Sequence, residues 1–512
     1  MIKKIALSLS LGVGVLFASE QLNFVMTKNV GPLNPHLYSP NEMFAQNMLY
    51  EGLSKYDTNA EIKPHLAKGW EVQNDGKTYV FELRDDVSFT DGVKFNAVAV
   101  KANFDAILAN RERHKWLESA NLIQSVDVLS EYKVAINLSK PYAPLVKELS
   151  LIRPFRFVSP NSLINGDSKD GIKAPVGTGT YKLESSELGV KDTFVINENY
   201  WGEKAKIKKI VGKVIPHPNT KVIALKTGEA DLIYQSEQIP LDVLADLKKS
   251  FNVEISEPIN TLALAINSNK APTSDLSVRK ALNLAVDKDA IVKSVFFDTQ
   301  KTASFLFAKS LPHCDINAKE YAYDIKMANE ILTSDGWIKA KDGYRYKNGA
   351  KLSIELTYIG TNAMYKSIAE ILQAQFKQIG VELNLKAEES SIFYKKQRTG
   401  DFGITYNRTW GIPYDPEIFL GSMRSPSHAD YQAQLGLANK SKIDEKITEI
   451  LATFDDDKKD KLIKEVLTEL HDEAIYLPIS HETNIAISSK KLDGVKALNL
   501  ANDIEFNKMK LK

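Results

Sequence analysis

Eight histidines, one cysteine and a few arginines set beside aromatic rings are the residues of this 512-residue chain best suited to chemistry. The histidines are His36, His65, His114, His217, His313, His428, His471 and His481. No two of them have the short spacing of a self-contained metal site, and Cys314 has no second cysteine to join it. Taken one at a time, such histidines read as surface or hydrogen-bonded core residues. Arg113, Arg153 and Arg156 read either as solvated or ion-paired arginines or as held binding groups. They flank Trp116 and Pro154-Phe155, a setting in which a guanidinium plane can stack and be held rigid, and an arginine fork matches a carboxylate with two parallel hydrogen bonds. Enzyme signatures are missing: there is no phosphate-binding glycine loop, no G-x-S-x-G elbow and no H-E-x-x-H, because Ile485 stands where His481-Glu482 would need its second histidine. No enzymatic activity is expected.

The elements that must position these residues alternate between strand and helix. Trp70–Gln73, the turn Asn74-Asp75-Gly76 and the alternating Tyr79, Phe81 and Leu83 predict a hairpin. Asn96 is placed to cap a helix carrying Val100, Phe104, Ile107 and Leu108. Leu352–Tyr358, a helix with Ile368, Leu372 and Phe376 stopped by Gly380, and Val381–Leu385 form a strand–helix–strand unit. Ile443, Ile447, Ile450 and Leu451 mark a further amphipathic helix, and a longer charged one follows to His471. The pattern is that of α/β lobes. No long Pro/Gly linker separates them, so a boundary must be a strand or short loop crossing, a geometry suited to hinge motion. Leu262–Asn267 is the expected crossing.

Composition narrows the class. With 66 basic and 65 acidic residues the formal charge is +1, and no basic stripe points to nucleic acid. Met1-Ile2-Lys3-Lys4, the apolar run Ile5–Phe17 and the small pair Ala18-Ser19 have the build of a secretory signal peptide cleaved near residue 19. No cysteine follows the run, so no lipid anchor is expected. An exported chain with a single cysteine points to the periplasm.

These residues also carry a resemblance. Leu66-Ala67-Lys68-Gly69-Trp70, Asp75-Gly76-Lys77, Leu83-Arg84-Asp85-Asp86-Val87 and Phe89-Thr90-Asp91-Gly92 resemble the solute-binding proteins of peptide-type ABC importers. Gly177-Thr178-Gly179, Val278-Arg279-Lys280-Ala281-Leu282 and Tyr476-Leu477-Pro478 fit in order. Asn29–Tyr38, Asn110–His114 with Trp116, Arg153–Phe157, Arg408–Gly411 with Pro413–Pro416, and Ser425–Asp430 resemble the nickel branch of that superfamily, over nearly the whole mature chain. The resemblance implies an α/β fold of two lobes with mixed sheets, a ligand cleft between them and hinge crossings. The first lobe would take residues 20–262 and the C-terminal return 485–512, and the second residues 263–484. It implies a monomeric receptor that captures nickel inside a small carboxylate chelator such as free histidine and passes it to an inner-membrane permease. Nickel is then cargo, and no cofactor is expected. Carried over by position, Arg113 and Arg153 bind the chelator's carboxylates, His428 ligates the metal, and Met43, Trp116, Tyr394, Trp410 and Tyr414 wall the cleft. His481 departs from the family pattern. It is expected either as a second or replacement ligand or as a surface histidine on an edge strand.

Ni²⁺ chemistry agrees with this implication, since a multidentate chelator can fill most coordination positions and leave one or two for imidazole. Two other functions compete. In the peptide-binding proteins that the chain resembles, an aspartate near the Trp-Gly segment pairs with the peptide's ammonium, and the resemblance puts Ile412 in its place, which would leave that cation unpaired in a buried site. An exported metal-dependent hydrolase would need three protein ligands and a base together.

Overall fold

The computed structural model describes residues 21–38, 43–57, 61–235, 238–500 and 503–512. The expected signal peptide lies outside them. Among the described residues no helix is long and apolar enough to cross a membrane.

Two large mixed sheets define two lobes. The first has seven strands in the order Asn252–Ile255, Ile485–Ser488, Leu232–Tyr234, Gln21–Met26, Lys209–Val214, Lys191–Ile196 and Tyr181–Glu187. Gln21–Met26 runs parallel to Lys209–Val214, while the outer pairs are antiparallel. The second sheet has six strands: Lys301–Thr302, Tyr476–Glu482, Asn260–Ile266, Ile404–Arg408, Ser353–Ile359 and Glu382–Glu388. The predicted strand–helix–strand unit forms its edge, with helix Ala363–Gln378 capped by Asn362 and Gly380 at φ 79° just beyond its end. A four-stranded antiparallel sheet (Ala67–Gln73, Thr78–Leu83, Lys133–Leu138, Ile123–Ser130) contains the predicted hairpin. Helix Ala97–Ala109 covers it, its Asn96 cap accepting from Ala99 N at 3.0 Å. The apolar core of this small sheet continues into helices Lys440–Ala452 and Asp456–Asp472 of the other half of the chain. Ala143 N donates to Leu451 O at 2.8 Å, and Lys147 pairs with the buried Glu417 at 2.8 Å.

The chain crosses between the large sheets twice, through residues 256–259 and through residues 483–484. The crossings are tied to each other: Ser256 N donates to Asn484 O at 3.0 Å, Asn484 N to Ser256 Oγ at 2.9 Å and Ile259 N to Glu482 O at 2.8 Å. Leu262–Asn267 is not a crossing, and a boundary after Leu262 falls inside strand Asn260–Ile266. The reason is burial on both faces. Leu262, Leu264 and Ile266 face one core, Ala263 and Ala265 the other, as in the central strand of a sheet covered on both sides.

Two motifs quoted for the resemblance prove to be packing devices. Arg279 is buried, donating to the carbonyls of Glu473, Thr273 and Ser274 and pairing with the Glu473 carboxylate at 2.8 Å. Gly177-Thr178-Gly179 docks on the end of helix Met43–Leu49, where Gly179 N donates to Leu49 O at 2.8 Å. A Cβ at position 177 would lie 2.0 Å from Leu49 O, so no side chain fits without moving backbone. Gly177→Val should therefore lower unfolding free energy by about 1–3 kcal/mol or more in urea titrations. Gly69→Ala, where nothing lies within 4 Å of the added Cβ, should change it by about 0.5 kcal/mol or less. Equal stability of Gly177→Val and wild type would contradict this packing.

Candidate functional site

Aromatic rings from both halves of the chain meet between the lobes. Trp116 follows the short helix Arg111–His114. Trp410 and Tyr414 sit on the loop after strand Ile404–Arg408. The rings of Trp116 and Trp410 meet edge to face at 5.7 Å, as do Trp410 and Tyr414 at 5.7 Å, while Trp116 and Tyr414 lie tilted at 6.3 Å. Asp415 shapes this loop by accepting from Trp410 N at 3.1 Å and Gly411 N at 2.9 Å. Ile412, within the same loop, is buried against Leu498 and Leu500, so its surroundings are apolar.

Arg153 is nearly buried on the first-lobe side. Its guanidinium lies over the Tyr38 ring at 5.5 Å and donates to Leu37 O at 3.4 Å. Burial lowers its pKa, while Tyr414 and Tyr38 act the other way, but an arginine stays charged at any relevant pH. His428 lies on the second-lobe side, immediately before helix Ala429–Gln434, with its ring 5.6 Å from Trp410. Its Nε2 is shut off from solvent and, among the described residues, has no hydrogen-bond partner. Burial lowers the His428 pKa and the Asp430 charge opposes this, so the imidazole is neutral at pH 7, the form that ligates metals. Asp430 in turn accepts from Tyr476 at 2.7 Å and Asn407 at 2.8 Å.

The structure thus brings Arg153, Trp116, Trp410, Tyr414 and His428 into one continuous set of contacts. Met43 opens helix Met43–Leu49 and lines a cavity of about 280 Å³ that Tyr414 also lines. Two expected residues stand apart. The Arg113 side chain is exposed and donates to Lys169 O at 3.3 Å, so it faces solvent rather than Arg153. Tyr394 is 51% exposed and packs on Phe393. His481 lies on strand Tyr476–Glu482 between Asn260–Ile266 and Lys301–Thr302, with Nδ1 2.9 Å from Thr261 Oγ1. This position is interior to the sheet, so it is not an edge strand. Burial, Lys288 and Lys301 push its pKa down to about 4. Among the described residues, no ring or hydrogen-bond contact joins it to His428, and no three His, Cys, Asp or Glu side chains converge as a metal-ligand set. Cys314 is buried, donates to Pro312 O and has its thiol pKa raised by burial, which keeps it protonated. His36 orders a loop, with Nδ1 2.9 Å from Ser168 Oγ and Nε2 3.2 Å from Arg156 O.

Sequence reasoning missed Tyr38 and Asp415 as parts of this site. Tyr38 closes the segment Asn29–Tyr38, and its only signal was membership of that motif. Asp415 had a clearer one, since an Asp after a Trp-Gly turn readily accepts from turn N–H groups.

A two-lobed α/β chain with paired crossings and an aromatic, arginine-bearing site between its lobes has the architecture of an extracellular solute receptor. A family model of bacterial extracellular solute-binding proteins, family 5, matches residues 61–431, and the chain belongs to that family. This is a solute-binding family, not an enzyme family. The nickel-binding periplasmic protein of Escherichia coli K12 is 48% identical over 497 residues, covering 96% of this chain and 95% of the relative. The crystal structure of NikA from Brucella suis in complex with Fe(III)-EDTA has a TM-score of 0.93 at 48% identity, covering 96% of this chain and all of that one. That of NikZ from Campylobacter jejuni in complex with Ni(L-His) has a TM-score of 0.79 at 27% identity over the same shares.

Asp415 yields a pH prediction. Burial raises its pKa from 3.8 to about 6, with hydrogen bonds from Thr409, Gly411 and Trp410 opposing. A raised folded-state pKa means that the stabilisation is complete below pH 3.8 and lost as pH rises through 6, in all about 3 kcal/mol. Urea titrations from pH 4 to 7 should show the stability of wild type relative to Asp415→Asn falling across this window. A constant difference would refute the assignment.

Proposed function

We propose that this chain is the extracytoplasmic receptor of an ABC importer, working in the periplasm. It captures nickel as a complex with a small carboxylate chelator such as histidine and delivers it to a membrane permease. The observation that carries the reading is the pairing, across one aromatic cluster, of a nearly buried guanidinium at Arg153 with an unpartnered imidazole nitrogen at His428. An organic shell presents both a carboxylate for the first and an open coordination position for the second. The aromatic walls exclude water and strengthen both contacts. The names of the Brucella and Campylobacter relatives, each holding a metal in an organic shell, support the same reading.

In this scheme Arg153 anchors the chelator, His428 supplies an imidazole, and Trp116, Trp410, Tyr414 and Met43 form the wall. Arg113 acts from the solvent side, where its reach is longer and its pull weaker, and Tyr394 contributes to the rim. His481 keeps one nitrogen on Thr261 and offers Nε2 as a second position. The lobes are assigned as residues 20–255 with 485–512, and 260–482, joined through the two crossings. A dipeptide receptor is the competing reading, since the dipeptide-binding protein of Escherichia coli is 25% identical over 95% of this chain. The buried Ile412 opposes it, because it packs on Leu498 and Leu500 and the Asp415 carboxylate in the same loop is already engaged by Trp410 N and Gly411 N.

Calorimetry with nickel alone, nickel plus histidine, and a dipeptide mixture tests the proposal. Nickel plus histidine should bind, and the other two should bind at least about tenfold more weakly. Arg153→Gln should weaken binding by about tenfold to a hundredfold, with Arg113→Gln closer to wild type. His428→Ala should lose affinity. Unchanged affinity of His481→Ala would remove that residue from the ligand set. Because the His428 pKa lies below 6.5, the ratio of wild-type to His428→Ala affinity should stay level from pH 7.5 to 6.5 and fall only in more acid buffer. The fall that both proteins share reports protonation of the chelator itself. Binding of dipeptides in preference to nickel plus histidine would overturn the proposal.

A further inference from the structure

The segment that carries Tyr38 is pinned at both ends by imidazoles. At its base the Asn34 side chain donates to Ser168 O at 2.8 Å and accepts from His36 N at 3.0 Å, and the His36 ring bridges Ser168 and Arg156 O. At its tip the Tyr38 hydroxyl lies 2.7 Å from Nδ1 of His114. Between these pins the segment meets Arg153 twice, through Leu37 O and through the face of the Tyr38 ring. The same ring packs edge to face on Trp116 at 5.7 Å and on His114 at 5.5 Å. His114 is fully buried, and its Nε2 has no hydrogen-bond partner.

We propose that His114 is a positioning residue for the chelate site. It donates from Nδ1 to the Tyr38 oxygen, holding the ring that carries Arg153 and leaving the phenol hydrogen free for a carboxylate of the incoming chelate. This rests on the reading of Arg153 as the chelator's anchor. The direction of the bond follows from the orphan nitrogen. With the proton on Nε2, a fully buried N–H would go unmatched, which is rare and costly; with it on Nδ1, the ring keeps only a lone pair over, and the donor left to be matched is the O–H of the half-buried phenol, which water or a ligand can reach. A phenol oxygen that accepts still has its own O–H to give. Burial keeps both groups neutral at pH 7, lowering the His114 pKa to about 4 and raising that of Tyr38.

The experiment is calorimetry of nickel plus histidine against wild type, His114→Phe, His114→Asn, Tyr38→Phe and the double variant His114→Phe/Tyr38→Phe. It is joined by ¹⁵N NMR of the wild-type histidine tautomers. His114→Phe should bind about tenfold more weakly, the scale of one lost hydrogen bond with its consequences for Arg153. His114→Asn, whose amide puts an N–H near the place of Nδ1–H, should stay within about threefold of wild type. The losses of His114→Phe and Tyr38→Phe should not add in the double variant, because the two residues act as one unit. The NMR spectrum should show His114 protonated on Nδ1. An Nε2-protonated His114, wild-type affinity of His114→Phe, an Asn variant as weak as the Phe variant, or fully additive losses would each overturn the proposal. If His114→Phe fails to fold, the Asn variant, Tyr38→Phe and the tautomer still decide it. Failure of wild type itself to bind nickel plus histidine would bring down the functional reading and this proposal together, whereas wild-type binding with unaffected variants sinks this proposal alone.

Discussion

A guanidinium taken out of water beside aromatic rings is the constraint around which this site is arranged. Removing a charge from water costs several kcal/mol, and the cost is recovered only when the site supplies well-placed partners. Arg153 has partners of this kind in the Leu37 carbonyl and the Tyr38 ring. In the proposed scheme a carboxylate of the chelate joins them and stabilises the charge more than a neutral carbonyl or a ring quadrupole does, and an arginine keeps its proton throughout. The Arg153–Arg156 loop must be held still for this to work, which His36 and Tyr38 accomplish from the neighbouring segment.

The two lobes contribute unlike parts. The first carries the cation, the second the imidazole, and the tryptophan pair Trp116 and Trp410 meets where they join. A ligand that touches both parts has differential affinity for the closed arrangement, the condition for a ligand to shift lobe closure. The mutual hydrogen bonds of the crossings tie residues 256–259 to residues 482–484. The salt bridge between Lys147 and Glu417, far along the chain from either crossing, adds a second fastening.

Local features were legible in the sequence because their causes are local. Asn96 and Asn362 cap helices, Gly380 follows a helix end in the left-handed region, and the Asn74-Asp75-Gly76 turn joins paired strands. The first crossing was not legible. Leu262–Ile266 is apolar at every position, and only the second core on its alanine face shows why. At the site, motif position located Arg153, Trp116, Trp410, Tyr414 and His428 in one neighbourhood. It could not tell that Arg113 turns to Lys169 while its neighbour His114 turns inward to Tyr38, because adjacent helical residues point about 100° apart and tertiary packing selects between them.

The sparse donor set is itself informative about a receptor that must let go of its cargo. A closed cluster of several protein ligands would hold a divalent ion tightly and would follow the Irving–Williams order, favouring copper. On the proposed reading, an imidazole at His428, with His481 as the second position offered, and an arginine at Arg153 divide recognition between the ion and its organic shell. The metal then contributes one or two bonds to the protein, and the charge and shape of the shell contribute the rest. Discrimination among metals passes in part to whatever sets which ion the chelator carries, while the protein reads the carboxylates. On the proposed reading the same division suits release, since lobes that part draw Arg153 away from His428 and leave the complex one contact at a time.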